Sequence, residues 1–411
     1  MYEIIKKCRI CNYKRLHNIL DLGNQPPSNS LRKNLDIKLS NIPLILKFCK
    51  KCELAQLSAT VDPKELFKHY FWVTNTSQTA KDYSEIFCKR VLKKIKKKNI
   101  LVIEIASNDG TFLKPFVKKN YKVLGIDPAV NICRDANKKG IKTICDFFSN
   151  KLALKILKQQ KKKADIIFAR NVIPHVKNIK DIIKGISSLV SKDGIVAIEF
   201  HYSKIIQDEL HYDSIYHEHL FYFTIKTISN LFKRYNLYSF DVDKSPISGG
   251  SLVLYFSKSK KEMSNNLKKM VNIEKKQRTN SYKSWINFSF KSKLHAKKLV
   301  MILKRFKQKY PKISIIGYGA SARSSTLLNF SKLNNVIINK IIDKNILKKD
   351  MYTPGSNIKI YHFNSFIRNL KKLKLILILA WNFKKEIIAD LRSRGFSGKF
   401  ILPLPNKIRI I

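Results

Sequence analysis

The chain has 411 residues, in which 81 lysines and arginines face 29 aspartates and glutamates for a formal net charge of +52. Its length allows two or three domains with real cores, and its 44% hydrophobic content is ordinary for a globular protein. The longest strongly apolar run, "LILILAW" (375–381), is too short to span a bilayer and reads as a buried strand.

The positive charge invites a polyanionic partner, but lysine far outnumbers arginine and is scattered along the chain. Clusters such as "KKIKKK" (93–98) and "KQQKKKAD" (158–165) suit helix ends and loops. Arginine interleaved with aromatics in one stripe, the sharper nucleic-acid sign, is absent, so no specific nucleic-acid partner is expected. "MYEIIKKCRIC" has no apolar core segment. With seven cysteines and no export signal, the expected setting is a reducing cytoplasm, away from membranes.

Four of those cysteines form two C-x-x-C pairs, Cys8 with Cys11 and Cys49 with Cys52. Each spacing lets a tight turn aim two thiolates at one ion, and two such knuckles complete a tetrahedral structural zinc site. Residues 1–70 are therefore assigned to a zinc-binding module. The turn-rich stretch "LDLGNQPPSNSL" (20–31) shapes it. Cys49→Ser is expected to lose the metal and destabilise this module without altering chemistry elsewhere.

A second, α/β domain is expected over 71–257. In "NILVIEIASNDGTFLKPF" (99–116) a β-branched strand runs into a polar turn and then an apolar-periodic helix. A second strand, "YKVLGIDP" (121–128), ends on Asp127, 17 residues after Gly110, near the spacing at which an acidic residue meets ribose hydroxyls. A third strand is read at 163–176 and a fourth at 193–202. Strands alternating with helices predict an open parallel sheet with ligands beyond its carboxyl ends. The frame Glu104-x-Ala106-x-Asn108-x-Gly110 looks like the E/D-x-G-x-G-x-G loop of class I S-adenosylmethionine methyltransferases, with two of three glycines replaced. Donor contacts are expected from Glu104, Ala106, Asn108, Asp109, Gly110 and Asp127, and from Asn171 in "ARNVIPHV".

"YDSIYHEHLFYF" (212–223) carries His217 and His219 on either side of Glu218. Two histidines two apart diverge on a helix and share a face on a strand. With no further ligand at a matching interval they make a poor metal site. The competing reading is an aromatic strand with satisfied histidines, yet His175, His201, His211, His217 and His219 all fall within 45 residues. Most lie at or after strand ends, where a ligand would sit.

"SPISGGSLVLY" (245–255) closes the sheet, its Gly249-Gly250 pair permitting close backbone approach to a ligand. A polar helical bridge is assigned to 258–308 and a second Rossmann-like domain to 309–411. There "KISIIGYGASARSSTLLNF" (312–330) repeats the strand, glycine turn and helix through Gly317 and Gly319, and a following strand ends at Asp343, 24 residues beyond Gly319. Backbone N–H groups and a helix amino terminus would face an anion there, with Arg323 adding a contact.

The two C-x-x-C pairs, "EIASNDGTFLKPF", "GIDPA", "ARNVIPHV", "YDSIYHEHL", "SPISGGSLVLY", "GYGASARSSTLLN" and "ILAWNF" together resemble sugar C-methyltransferases acting on nucleotide-linked ketosugars. The resemblance implies an α/β class I methyltransferase sheet with an amino-terminal zinc-binding module and a carboxyl-terminal Rossmann-like domain for the substrate's nucleotide. It implies S-adenosyl-L-methionine and structural Zn2+ as cofactors. It puts catalytic roles on Tyr216, Glu218 and His219, His219 being the base, with His217 behind them. His175, His201, Gly249, Gly250, Gly317, Gly319, Arg323 and Asp343 would line the substrate. A further family tyrosine aligns with either Tyr70 or Trp72 in "HYFWVTNTS" (69–77). C-methylation suits these residue types: a carbon beside a ketone must lose a proton to a base titrating near neutrality, and the enolate oxygen needs a hydrogen-bond donor. Three rival readings stand beside this one: an O- or N-methyltransferase using the same base, a basic zinc-ribbon RNA-binding protein, and a nicotinamide-dependent sugar oxidoreductase using the last domain.

Overall fold

The computed structural model describes residues 2–62, 66, 74 and 78–411, so Tyr70 and Trp72 lie outside the described residues. The amino-terminal module holds β1 (Tyr2–Ile4), β2 (Leu16–Gln25), β3 (Ile42–Cys49), β4 (Leu54–Leu57) and β5 (Ala59–Val61). β2, β3 and β4 form an antiparallel meander, and β1 pairs with β5. Alternate residues of β3, from Ile42 through Leu44 and Leu46 to Phe48, are buried, the period-2 pattern of a strand with one face on a core.

The central sheet contains β6 (Leu101–Ile105), β7 (Lys122–Asp127), β8 (Thr143–Cys145), β9 (Ala164–Arg170) and β10 (Val190–His201). After them come β11 (Phe221–Tyr222), β12 (Tyr238–Ser245) and β13 (Ser251–Ser257). Its order is β12-β13-β10-β9-β6-β7-β8, and β13 runs antiparallel to both its neighbours. β6 is buried at every position, and β9 is buried from Ala164 to Ala169, as parallel strands covered on both faces must be. Helix Ile179–Leu189 covers one face with Ile182, Ile183, Ile186 and Leu189 at helical spacing. The strand order turns back between β6 and β9, which makes their carboxyl ends the ligand crevice. The third strand in sequence is the three-residue β8 at the sheet edge, not the segment read as third from sequence. Three residues are too few to display a period.

β11 does not join this sheet. It adds to the amino-terminal meander in the order β11-β4-β3-β2, with Phe221 opposite Gln56 and Tyr222 opposite Ala55. The bridge is likewise shared out. Helix Asn265–Lys276 packs on helix Ile225–Lys233 and β12, where Glu274 accepts hydrogen bonds from the Ile225 and Lys226 amides at 2.6 and 3.1 Å. Helix Tyr282–Lys309 runs along β2.

The carboxyl-terminal sheet holds β14 (Ile316–Tyr318), β15 (Lys340–Asp343), β16 (Ile360–His362), β17 (Leu375–Ile378), β18 (Lys399–Leu402) and β19 (Arg409–Ile410). Its order is β16-β15-β14-β17-β18-β19, parallel except for β19. A second switch point therefore lies between β14 and β17. Among the described residues, no helix is long and apolar enough to cross a membrane.

Candidate functional site

The metal centre is built from two matching knuckles. After each C-x-x-C the chain turns back through a left-handed residue, Asn12 at φ 59° and Glu53 at φ 59°. Their amides donate to the carbonyls of Cys8 and Cys49 at 3.0 and 2.7 Å. The four sulfurs lie within 4.8 Å of one another, with the Cys8–Cys52 and Cys11–Cys49 pairs at 3.5 Å. A tetrahedral zinc with four thiolates spaces its sulfurs by about 3.8 Å, so the donor set fits the ion and leaves no open coordination position. Gln56 Nε2 donates to Cys8 Sγ at 3.2 Å.

The donor pocket forms at the β6–β9 crevice. Ala106, Asn108 and Gly110 occupy the three glycine positions of the loop frame, and all three adopt left-handed backbone, at φ 55°, 49° and 73°. The loop thus keeps the glycine-type path although two side chains replace hydrogen. Asparagine tolerates this region, whereas alanine pays about 1–2 kcal/mol to enter it. At Gly110 a Cβ would lie 2.5 Å from the Ile141 side chain, so that glycine is required sterically as well. Asp127, at the tip of β7, accepts the Asn108 and Ala129 amides at 2.9 Å each. Thr111 binds Asp109 through both its amide and its hydroxyl. Glu104 is buried, its Oε2 has no hydrogen-bond partner among the described residues, and burial pushes its carboxyl well above the usual range, opposed by Arg170. An orphaned buried acceptor beside a left-handed loop and an acidic strand tip fits a ligand with an amine and a ribose, as in S-adenosylmethionine. Asn171 also has positive φ (50°), and its Nδ2 donates to Glu199 at 3.2 Å. Glu199 carries Arg170 at 2.7 Å and Ser245 at 2.8 Å.

The Tyr216–His219 segment is neither helix nor strand. It is a loop closed by the His219 amide on the Tyr216 carbonyl at 2.8 Å, and the Leu220 amide bonds Pro174 in the turn after β9 at 2.8 Å. The two histidines consequently part company. His217 is buried and its Nε2 meets the Ile42 carbonyl at 3.2 Å, on the amino-terminal module. His219 stays partly open, with Nδ1 on the Ser214 carbonyl at 2.8 Å and Nε2 on the Tyr216 hydroxyl at 2.8 Å. A carbonyl only accepts, so Nδ1 carries the hydrogen and Nε2 keeps a lone pair. Burial, then the neighbouring His175, hold the imidazole well below its ordinary range rather than near neutrality as expected, so it is neutral and its lone pair can accept a proton. The His175 ring stands edge-on to it, 4.7 Å between centroids. Burial holds His175 down at about 4. Glu218 is buried, and burial pushes its carboxyl up to about 7 against the pull of a 2.6 Å hydrogen bond from Asn29 Nδ2.

The carboxyl-terminal domain reaches the same region. Arg323, in the first turn of helix Ala322–Phe330, makes a two-point contact with the buried Asp213 at 3.0 and 2.8 Å. Trp381 Nε1 donates to the same carboxylate at 2.8 Å. Gly249 packs here, its absent Cβ leaving room for the Trp381 ring at 3.0 Å. Gly250 is fitted to Ile205 instead. His201 and His211 share a 3.2 Å hydrogen bond that continues to Glu209 at 3.1 Å, and His211 packs on Trp381. Gly319 has φ 97° and would place a Cβ 2.5 Å from that of Ala380, while a Cβ on Gly317 would strike Ile341 and Leu379 at 2.9 Å. Asp343 accepts the Ala320 and Asn345 amides, both at 2.8 Å, and so braces the glycine turn.

The structure therefore brings Tyr216, His219 and His175 together, sets His201 and Arg323 near them at the domain junction, and ties the neighbouring Glu218 to Asn29. Gly317 and Asp343 shape the turn rather than presenting side chains. Sequence reading missed Asn29, Asp213 and the partnership of Trp381 with Asp213, because each acts across more than 100 residues of chain with no local spacing to reveal it. The amino-terminal module is tied to this region by the Asn29–Glu218 hydrogen bond and the β4–β11 pairing.

Three family models match in succession: a putative zinc binding domain over residues 8–67, a methyltransferase domain over 77–240, and a C-methyltransferase C-terminal domain over 246–405. The C-methyltransferase NovU of Streptomyces niveus is 26% identical over 410 residues, covering 98% of this chain and 96% of that protein. A ubiquinone biosynthesis O-methyltransferase from Pelagibacter ubique (strain HTCC1062) is 32% identical over 109 residues, 25% of this chain and 42% of that protein. Among solved structures, magnesium protoporphyrin IX methyltransferase (ChlM) from Synechocystis PCC 6803 aligns with 49% of this chain and 99% of its own at 13% identity and a TM-score of 0.37, too loose to bear on function. With the four-cysteine cluster and the sheet order just described, the chain is built from end to end of the three domains of an S-adenosylmethionine-dependent C-methyltransferase: an amino-terminal zinc-binding domain, a methyltransferase domain and a C-methyltransferase carboxyl-terminal domain.

Proposed function

We propose that this enzyme methylates a carbon beside the ketone of a nucleotide-linked sugar in the cytoplasm, with His219 as the base. The observation that supports this most is the His219 ring. Its Nδ1–H is committed to a backbone carbonyl, so the basic lone pair at Nε2 is fixed in direction. That lone pair takes the proton from the acidic carbon, and the C–H electron pair stays behind as the enolate. Tyr216 O–H, which donates to Nε2, turns to the enolate oxygen as its donor. Glu218, titrating near 7, engages a sugar hydroxyl or the ketone beside it. S-adenosylmethionine, held by the 104–110 loop and Asp127, supplies an electrophilic methyl group to the enolate carbon. His175 closes the side of His219 toward the β9 turn and keeps it dry. The second switch point, through the Gly319 turn and the amino terminus of helix Ala322–Phe330, takes the nucleotide diphosphate, whereas Gly249 and Gly250 are fitted to Trp381 and Ile205 and Arg323 is paired with Asp213. The end-to-end match to a C-methyltransferase supports carbon as the acceptor over oxygen or nitrogen.

Exchange of solvent deuterium into a panel of nucleotide ketosugars, without methyl donor, tests the reading. The wild-type enzyme should label the carbon next to the ketone and His219→Ala should not. Methyl transfer to oxygen or nitrogen without any such labelling would defeat it.

A further inference from the structure

Between the end of β2 and β3 the chain runs "PPSNSLR" (26–32) across the molecule. This strap is fastened to the carboxyl-terminal domain on both sides of Asn29. Before it, the Ser28 carbonyl accepts the Ser325 hydroxyl at 2.9 Å, and the Ser28 hydroxyl meets that of Thr326 at 3.3 Å. After it, Arg32 and Tyr352 exchange backbone hydrogen bonds at 3.3 and 2.8 Å, and Arg32 Nη2 donates to Asn357 Oδ1 at 2.6 Å. A tight turn between these anchors, with the Ser30 amide on the Pro27 carbonyl and the Leu31 amide on that of Asn29, aims the Asn29 side chain at the site. Its Nδ2 reaches Glu218 Oε1 at 2.6 Å, and Asn29 makes the one hydrogen bond to this buried carboxyl group found among the described residues.

We propose that Asn29 is a positioning residue: it fixes the Glu218 carboxylate at the reacting centre, and its strap hands that carboxylate's orientation to the carboxyl-terminal domain. The inference rests on the assignment of Glu218 to the reacting centre. A buried carboxylate has two lone-pair directions on each oxygen, and with one hydrogen-bond donor among the described residues a donor held at two anchors fixes which of them is used. Ser325 and Thr326 sit on the same helix as Arg323. Anything that moves this helix therefore moves the strap, and the Asn29 amide with it.

The test uses the zinc-loaded full-length protein in two arms. In the first, the Glu218 carboxyl is titrated by infrared difference spectroscopy without substrate or methyl donor, its band identified by its loss in Glu218→Gln. Asn29→Ala should raise the midpoint by about one pH unit, since the lost hydrogen bond favoured the charged form. Asn29→Asp, the same shape without the donor and with a like charge, should raise it further. Ser325→Ala, remote from the carboxylate, should move it part of the way in the same direction. In the second arm, Asn29→Ala should lower kcat about tenfold to a hundredfold and leave binding of S-adenosylmethionine unchanged. Midpoints unchanged in both Asn29 variants would overturn the positioning role, and an unmoved Ser325→Ala would overturn the strap. Because the infrared arm needs no acceptor, it stands even if the wild-type enzyme labels no ketosugar, an outcome that strikes the proposed reaction alone.

Discussion

Glu218→Gln should make this protein more stable at alkaline pH while removing activity. Burial raises the Glu218 carboxyl from 4.5 to about 7. Between those values the native state holds a proton that the unfolded chain has released, so stability falls as pH rises through that window and the whole cost is present above it. The shift of about 2.5 units, at about 1.36 kcal/mol per unit, makes the ionised side chain cost about 3 kcal/mol. Glutamine has the same shape, keeps an oxygen to accept from Asn29, and cannot ionise. Denaturant unfolding of wild type and variant at pH 5 and pH 8.5 reads the difference. The two should unfold alike near pH 5, and the variant should be about 3 kcal/mol more stable at pH 8.5. A variant with no advantage at pH 8.5, or with the same advantage at both, would refute the view of Glu218 as a buried carboxyl held close to its midpoint. The reason to keep so costly a group would then be lost as well: a carboxyl near neutral pH is valuable to acid–base chemistry and a liability everywhere else.

Other outcomes follow from the same geometry. His219→Ala should reduce turnover about a hundredfold to ten-thousandfold in a methyl-transfer assay, with calorimetric affinity for S-adenosylmethionine nearly unchanged; an equal loss of donor affinity would place the ring in the wrong role. Ala106→Gly should raise the unfolding free energy by about 1 kcal/mol, by relieving the left-handed strain in the donor loop; a loss of stability would mean that the alanine is not strained there. Stripping the metal should release β11 as well as the knuckles, because Gln56 touches both Cys8 and the β4–β11 pairing. Amide exchange across 215–223 should speed up and activity should fall, and an apoprotein with full activity would count against a metal-dependent site. Asp127→Ala should weaken donor binding, since the carboxylate orders the turns through Asn108 and Ala129 at the strand tip where such sheets bind a ribose; titration calorimetry decides it.

Much of this protein could be read from local pattern. Cys8, Cys11, Cys49 and Cys52 announce a metal site because ligand spacing is set by one tight turn. The β6 and β14 turns show themselves through apolar strands running into polar or glycine corners, and Asp127 and Asp343 fall at strand tips because a parallel unit has a nearly fixed length. The histidine cluster was visible too, but its geometry was not. Sequence left His217 and His219 as neighbours that share a face or diverge, and only the folded loop sends one to the Ile42 carbonyl and the other to Tyr216 and Ser214. β8 escaped notice because three residues show no period. Asn29, Asp213 and Trp381 escaped it because their partners lie far along the chain. Spacing along a chain records what one turn, helix or strand imposes on its own residues. The placement of a donor from residue 29 on a carboxylate at residue 218 is decided when three domains pack, and no stretch of sequence contains it.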